Sequence, residues 1–245
     1  PLVRFGNSFA LGDSDLRSEQ NLQFDAGFTS KHERTSWGMR GFHSTIHDYI
    51  GLAATNYSSF PELGTAPGGV LGRAQPFMAD PNFPNQDLSA DSASLGYAYR
   101  NIDVVELYGF DLMGEVQALP WLEFGGTLTF TEGINHDPTV VDAYTGTVTS
   151  VGNREGLPGI YPMTSVVSAR IVEPLDRRWT LEWQTRMAYQ QGHLASSLGE
   201  LGTPGFAVHN IHATYRWTKH VSLRSSLLNV FDHNYFEHNS LAIVD

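Results

Sequence analysis

Cysteine is absent from this sequence of 245 residues, and basic residues are few. Without cysteine, disulfide bonds, iron–sulfur clusters and thiolate zinc sites are excluded. Lysine and arginine number 15 against 26 aspartate and glutamate residues, which gives a formal net charge of −11 at pH 7. Because phosphate backbones are bound by basic surfaces, this charge argues against a nucleic-acid partner.

Long apolar runs are missing as well. No segment approaches the roughly 18 consecutive apolar residues that a membrane-spanning helix needs, and no charged start followed by an apolar stretch indicates a signal peptide. Charged residues make up only 17% of the sequence, whereas aromatic residues reach 12% and glycine occurs 24 times. An average soluble domain carries roughly 25% charged residues. This composition is typical of a large β protein or of a membrane β-barrel.

Apolar and polar residues alternate with a period of two along most of the chain, which predicts an all-β protein. Leu22, Phe24 and Phe28 share one face of such a strand, and Gln23 and Asp25 share the other. About eight strands follow this pattern, and each is close to the roughly 9–11 residues that a tilted strand needs to cross a bilayer. Soluble strands are shorter, with roughly 5–6 residues. The predicted strands are residues 21–30, 36–47, 104–116, 121–131, 163–171, 179–190, 206–216 and 221–230.

The connections between these strands alternate between short and long. Residues 31–35, 117–120, 173–178 and 217–220 form short turns, whereas residues 51–96, 132–162 and 191–205 form long loops rich in Gly, Pro, Asn, Asp and Ser. Outer-membrane barrels keep short turns on the periplasmic side and long loops outside. Aromatic residues near the strand ends, where interface girdles are expected, agree with this plan: Trp121, Trp179, Tyr189 and Trp217. We therefore predict a transmembrane, antiparallel, up-and-down β-barrel.

Two other classes stay open at this point. A half-buried strand in a soluble sandwich shows the same alternation, so the chain could be a non-catalytic surface-binding module whose apolar faces form a dry core. A hydrolase embedded in a barrel is the third class. Strand length and the sorting of the loops favour the transmembrane barrel over the sandwich.

Several strings in the sequence are typical of one family of membrane barrels. The most characteristic string is Asn-Val-Phe-Asp…Tyr at residues 229–235. Two further strings support it, VELYGFDLMGEV at 105–116 and LPWLEFGGTLTFTEG at 119–133. GDSDLRSEQ at 12–20 is similar to a loop string of the same family, although Ser18 stands where proline is usual. By these strings the chain resembles the C-terminal β-barrel of the TonB-dependent receptor family.

The resemblance implies a fold and a function. The fold is a 22-stranded barrel filled by a plug domain, of which residues 1–245 would be about eight strands in the C-terminal portion, without the plug, the first strands or the closing strands. The implied location is the cell outer membrane. The implied function is TonB-dependent uptake of a scarce nutrient such as a metal chelate (siderophore) or cobalamin. The implied partners are the TonB complex, reached through an N-terminal region carrying a TonB box, the plug, the substrate and the lipid bilayer.

Polar residues on the non-apolar faces are candidates to line the barrel lumen. Glu115 and Glu123 flank one predicted turn, and we expect them to meet plug residues rather than substrate, because barrel interiors are routinely polar. Aspartates of the long loops could gather cations, although such charge is usually a solvated surface. The lumenal candidates are Asp111, Glu115, Glu123, Glu182 and Arg186, and the loop aspartates are Asp80, Asp87, Asp91, Asp137 and Asp142.

No catalytic, metal or cofactor site emerges from the sequence. His43 and His47 would share one face of a helix, but on a strand residues four apart are about 13 Å from each other, too far to bind one ion. The sequence contains no G-x-S-x-G string, and no nucleophile with a base can be assigned. We therefore predict that the protein is not an enzyme and has no cofactor.

Overall fold

The computed structural model describes residues 2–5, 8–11, 14–56, 96–142, 148–198 and 200–238. These residues form one sheet of thirteen strands and one short 3-10 helix, η1 (Ser196–Leu198). None of the described helices is long and apolar enough to cross a membrane. The strands are β1 (Leu2–Phe5), β2 (Ser8–Leu11), β3 (Gln20–Lys31), β4 (Thr35–Asn56), β5 (Gly96–Leu119), β6 (Leu122–Asn135), β7 (Thr139–Asp142), β8 (Val148–Ser150), β9 (Glu155–Gly156), β10 (Thr164–Val172), β11 (Trp179–Ala188), β12 (Phe206–Arg216) and β13 (Ser222–Leu227).

Eight long strands form the body of the sheet as an antiparallel meander. Their spatial order is β3, β4, β5, β6, β10, β11, β12 and β13, so each strand lies beside the next long strand in the chain. The eight strands predicted from alternation are confirmed. Among the described residues β3 and β13 form no ladder with each other, so this part of the sheet is open.

The last strand is shorter than residues 221–230, because the backbone turns after Leu227. Asn229 has a φ of 49°, and Asp232 one of 50°, conformations that asparagine and aspartate tolerate better than most residues. The Asn229 side chain fixes this turn by accepting a hydrogen bond from His233 N (3.0 Å) and donating one to His233 O (3.0 Å). The Asn-Val-Phe-Asp string therefore ends the strand.

Strands β4 and β5 extend further than predicted. They pair from Thr35↔Val116 to Thr55↔Gly96, with the ladder interrupted only at Asp48 and Asp103, so the prediction of a loop beginning at residue 51 is wrong at this end. The alternation fades above the membrane because lipid no longer selects apolar side chains there, whereas the backbone pairing continues. Residues 57–95 of that predicted loop lie outside the described residues. The predicted loop 132–162 also contains the end of β6 and three short strands, β7, β8 and β9.

Cross-strand register sorts the side chains onto two faces. One row joins Phe124, Ala169, Trp183 and Ile211 across four strands, and the adjacent row joins Glu123, Arg170, Glu182 and His212. The first face is mainly apolar and the second mainly polar, although the second face also carries the buried apolar residues Ile46, Val105 and Val208. Many apolar side chains of the first face are exposed, and four of them, Phe24, Phe124, Val167 and Trp183, are 38–66% exposed. Since no second sheet covers them within the described chain, the β-sandwich alternative is wrong.

Tryptophans mark the apolar face at the end that carries the short turns. Trp37, Trp121, Trp179 and Trp217 lie at strand ends or turns at this same end of the sheet and are 39–74% exposed. Indole rings at this position are typical of the interface girdle of a membrane barrel. The barrel plan predicts that this end of the sheet is the periplasmic end, and the opposite end carries the long loops.

The turn between β10 and β11 is held by one carboxylate. Glu173 accepts hydrogen bonds from the backbone N–H groups of Arg178 (3.1 Å), Leu175 (3.0 Å) and Asp176 (3.1 Å). These donors, that of Arg178 first, lower the pKa of the Glu173 carboxyl below its ordinary value. A charged carboxylate is favoured by such donors because they stabilise the anion.

We expect Glu173→Gln to remove a pH-dependent contribution to stability. Because the folded pKa is lowered, the contribution is fully present above the ordinary value for glutamate and is lost as the pH falls through the lowered value. Unfolding of the full-length protein, followed from neutral to acidic pH, should therefore show a smaller acid-induced loss in Glu173→Gln than in the parent. Glu33→Gln, in the β3–β4 turn, is the matched control and should keep the parental profile. Equal profiles for all three proteins would contradict this account of the turn.

Candidate functional site

The five lumenal candidates lie on the polar face of the sheet. Register places Asp111 beside Arg40 and Thr129, and Glu115 beside Ser36 and Gly125. Glu123 and Glu182 both lie beside Arg170, and Arg186 lies beside Val166 and Val208. The even or odd position of each residue along its strand is sufficient to predict this shared face. It stays a prediction that this face lines the lumen of a barrel.

Arg170 joins two of the candidates into a charged row. Its Nε donates to Glu182 Oε2 (2.9 Å) and its Nη1 to Glu123 Oε2 (3.3 Å). Arg177, from the adjacent turn, lies 3.9 Å from Glu123 Oε1. Arg170 was not among the predicted residues, although its place in the alternation of β10 puts it on the polar face. The two arginines therefore balance most of the negative charge of Glu123 and Glu182.

A second acid–arginine–acid row crosses the other half of the sheet. Arg40 Nη2 donates to Asp25 Oδ1 (2.8 Å), and Arg40 lies opposite Asp111 in register. Gln23 Nε2 donates to the second oxygen of Asp25 (2.7 Å). Because this second row contains two acids and one arginine, it keeps a small excess of negative charge. Such a surface suits contacts with a polar partner.

A cleft of about 230 Å3 lies at the periplasmic end of this face. The β3–β4 turn forms one wall, and Glu115, Glu123, Ser168 and Arg170 lie along the other. The structure therefore brings Glu115 and Glu123 to one cleft, as their positions on either side of a turn suggested. Its mixed charges provide hydrogen-bond donors and acceptors rather than a set of metal ligands.

Arg186 has a partner that the sequence did not predict. It forms a bidentate ion pair with Glu237, at 2.6 and 2.9 Å, and its guanidinium stacks 5.2 Å from the ring centre of Phe206. The Arg186 guanidinium lowers the pKa of the Glu237 carboxyl. Tyr235 stacks on Phe206 with ring centres 4.3 Å apart. The segment after β13 therefore folds back over the polar face.

The remaining candidate residues are dispersed. Asp137 accepts a hydrogen bond from Ser150 Oγ (2.7 Å) within its own loop, and His43 lies on the apolar face between Phe24 and Tyr108. Asp80, Asp87, Asp91 and the side chain of Asp142 lie outside the described part of the structure. Within the described part, no group of three or more His, Asp or Glu side chains could hold a metal ion.

Comparison with known proteins identifies relatives of this two-faced sheet. The family model described as "TonB dependent receptor-like, beta-barrel" matches residues 3–230. No curated protein sequence matches the chain.

Three solved structures with a similar fold are much longer than this chain. The copper transporter OprC has a TM-score of 0.64 and 16% identity, with 92% of this chain and 27% of OprC covered. The FrpB iron transporter from Neisseria meningitidis (F3-3 variant) has a TM-score of 0.58 and 12% identity, covering 94% of this chain and 30% of FrpB. The pyoverdine outer membrane receptor FpvA from Pseudomonas aeruginosa has a TM-score of 0.52 and 13% identity, covering 90% and 26%. The chain thus spans 26–30% of these structures.

Proposed function

Because the chain belongs to the TonB-dependent receptor family, whose β-barrel model it matches over residues 3–230, we propose that its protein imports a scarce nutrient across the outer membrane. Barrels of this family reside in the outer membrane, and this chain is an outer-membrane protein. The family consists of transporters and not of enzymes, in agreement with the prediction from sequence.

The two faces of the sheet are the observation that supports this function most strongly. A membrane barrel needs an apolar exterior and accepts a polar interior, because lipid cannot solvate charge whereas a lumen can. The apolar face of the meander is exposed, and the polar face carries both acid–arginine–acid rows. This division supports a wall between lipid and a hydrophilic pathway.

The polar face is proposed to contact a plug domain. In this proposal residues 1–245 are about eight strands of a barrel with 22, and the plug fills the lumen that these strands help to enclose. Asp111, Glu115, Glu123, Glu182 and Arg186 would then be lumenal, with Glu115 and Glu123 meeting the plug at the periplasmic cleft. The TonB complex would act on the plug from the periplasmic side.

A metal chelate such as a siderophore is the cargo that we propose, with cobalamin as the second candidate. Three structures similar to this chain are a copper transporter, an iron transporter and a pyoverdine receptor. These relatives support a metal or its chelate rather than a sugar or peptide.

Uptake by cells tests the proposed function. The gene for the full-length protein is deleted, and accumulation of radiolabelled ferric siderophores, copper and cyanocobalamin is compared with the parent and with a TonB-deficient strain. We expect at least one metal cargo to lose uptake in both mutants and to regain it when the gene is restored. Unchanged uptake of every cargo in the deletion strain would contradict the proposal, and loss of cobalamin alone would favour the second candidate.

A further inference from the structure

The loop between β6 and β10 folds inward over the polar face. Leu157 is 3% exposed and packs on Ile46 and Val105, which register places on the same face as Arg40 and Asp111. Its N–H donates to the carbonyl of Gly133 (3.0 Å), another residue of that face. Residues 155–160 are therefore anchored inside the curve of the sheet at its extracellular end.

The loop between β11 and β12 reaches the same place from the far side. Its helix η1 lies next to β4, although β5, β6 and β10 separate β4 from β11 in the sheet. Glu155 holds η1 by accepting hydrogen bonds from Ser197 N (2.8 Å) and Ser197 Oγ (2.6 Å), and Gly156 N donates to Leu194 O (3.0 Å). This loop crosses the polar face instead of following the rim.

Glu200 ties the crossing loops to the segment after β13. Its carboxylate accepts hydrogen bonds from Gly159 N (2.9 Å), Ala195 N (2.8 Å) and His238 Nε2 (3.1 Å). The side chains of Glu200 and His238 are only 12% and 2% exposed. Because buried polar groups that lose their partners are costly, this arrangement resists partial opening. Residues 155–160, 191–198 and 200–205 together are called the inner shelf.

We propose that the inner shelf is a fixed barrier across part of the extracellular mouth, which admits small solutes alongside it and excludes large ones. The proposal rests on the proposed function only in placing the polar face in a lumen. Loops held by a buried apolar contact and by two part-buried carboxylates, those of Glu155 and Glu200, have one favoured arrangement, so they narrow the mouth whether or not cargo is present. Cargo would then pass beside the shelf.

Gly156 offers a way to displace the shelf. A Cβ at this position would overlap the backbone carbonyl of His193 in the partner loop, and that carbonyl cannot yield as a flexible side chain would. Gly156→Val should therefore push the two loops apart. Gly192→Val is the matched control in the same shelf, because a Cβ at Gly192 meets nothing within 4 Å.

A cysteine reporter tests the barrier in the full-length protein on intact cells. Thr129→Cys places a thiol on the polar face below the shelf, at a position exposed in the structure, in a chain that has no cysteine of its own. Labelling uses two membrane-impermeant maleimides, one small and one carrying a large polyethylene glycol. With the parent shelf and with Gly192→Val, we expect the small reagent to label the thiol and the large reagent to stay at background. With Gly156→Val, the large reagent should approach the labelling of the small one.

Three outcomes would overturn the proposal. Labelling of the parent by the large reagent would show that no barrier exists. Failure of the small reagent in the parent, together with labelling by it in Gly156→Val, would show that the shelf leaves no passage. Background labelling of Gly156→Val by the large reagent would assign the barrier to another element, provided that Glu200→Gln, which loosens the shelf without adding bulk, gives the same result. Only variants present at parental levels in the outer membrane are compared. The labelling assay needs neither cargo nor TonB. Its result can therefore be interpreted even if the uptake experiment contradicts the proposed function.

Discussion

Arginine in place of Val167 is expected to destabilise the full-length barrel in a bilayer by about 2–4 kcal/mol, the usual effect of a lipid-facing arginine near the midplane. Val167 lies in the middle of β10, on the apolar face between Gly126 and Thr185, and its side chain is 46% exposed. No neighbouring acid shares that face at this level, so the guanidinium would meet hydrocarbon.

Thr127→Arg is the matched control for this substitution. Thr127 lies on the adjacent strand β6, one residue from the partner of Val167, and is exposed on the polar face. Its arginine would meet a polar lumen, so we expect a much smaller loss of stability. Reversible unfolding in lipid vesicles, followed by tryptophan fluorescence against denaturant, measures both. A loss for Thr127→Arg equal to or larger than that for Val167→Arg would contradict the assignment of the faces.

Alanine in place of Gly109 is expected to reduce the free energy of unfolding by about 1–3 kcal/mol, as overpacking does in well-packed interiors. Gly109 lies in β5 opposite Phe42, whose ring covers it, and a Cβ there would overlap both that ring and the carbonyl oxygen of Phe130. The carbonyl belongs to the adjacent strand, so relief requires the sheet to deform. Only glycine fits at this contact.

Gly114→Ala provides the comparison on the same strand. A Cβ at Gly114 would come no closer than 4.0 Å to any neighbour, so this substitution should be neutral or slightly stabilising. Alanine also lowers the conformational entropy of the unfolded chain compared with glycine, and this favours folding where the site has room for a Cβ. Both variants are compared in the same vesicle unfolding assay. Equal effects at the two positions would contradict the packing of Phe42 over Gly109.

The strands and their faces were predictable because the solvent on each side selects the side chains directly. Lipid requires Phe124 and Trp183 on one face, and a polar interior tolerates Glu123 and Glu182 on the other, so the period of two appears in the sequence itself. For the same reason, Asp111 and Arg186 could be assigned to the polar face from their positions along single strands.

Contacts between residues far apart in the chain were not predictable in this way. Glu237 is 51 residues from Arg186, and Glu155 is 42 residues from Ser197, so no local pattern connects them. The inner shelf follows from these distant contacts. The upper parts of β4 and β5 were missed for a different reason, because backbone pairing continues there without the lipid that produces the alternation.

The measurement that tests the central claim most directly uses neighbouring positions in β11. Trp183 is 38% exposed on the apolar face, whereas Gln184 lies on the polar face and accepts a hydrogen bond from Asn210 (3.2 Å). Each is replaced by cysteine in the full-length protein, labelled with an environment-sensitive fluorophore, and exposed to a quencher confined to the lipid phase. We expect strong quenching at Trp183→Cys and none at Gln184→Cys. Quenching at neither position, or at Gln184→Cys alone, would contradict the claim that the apolar face of this sheet meets the bilayer.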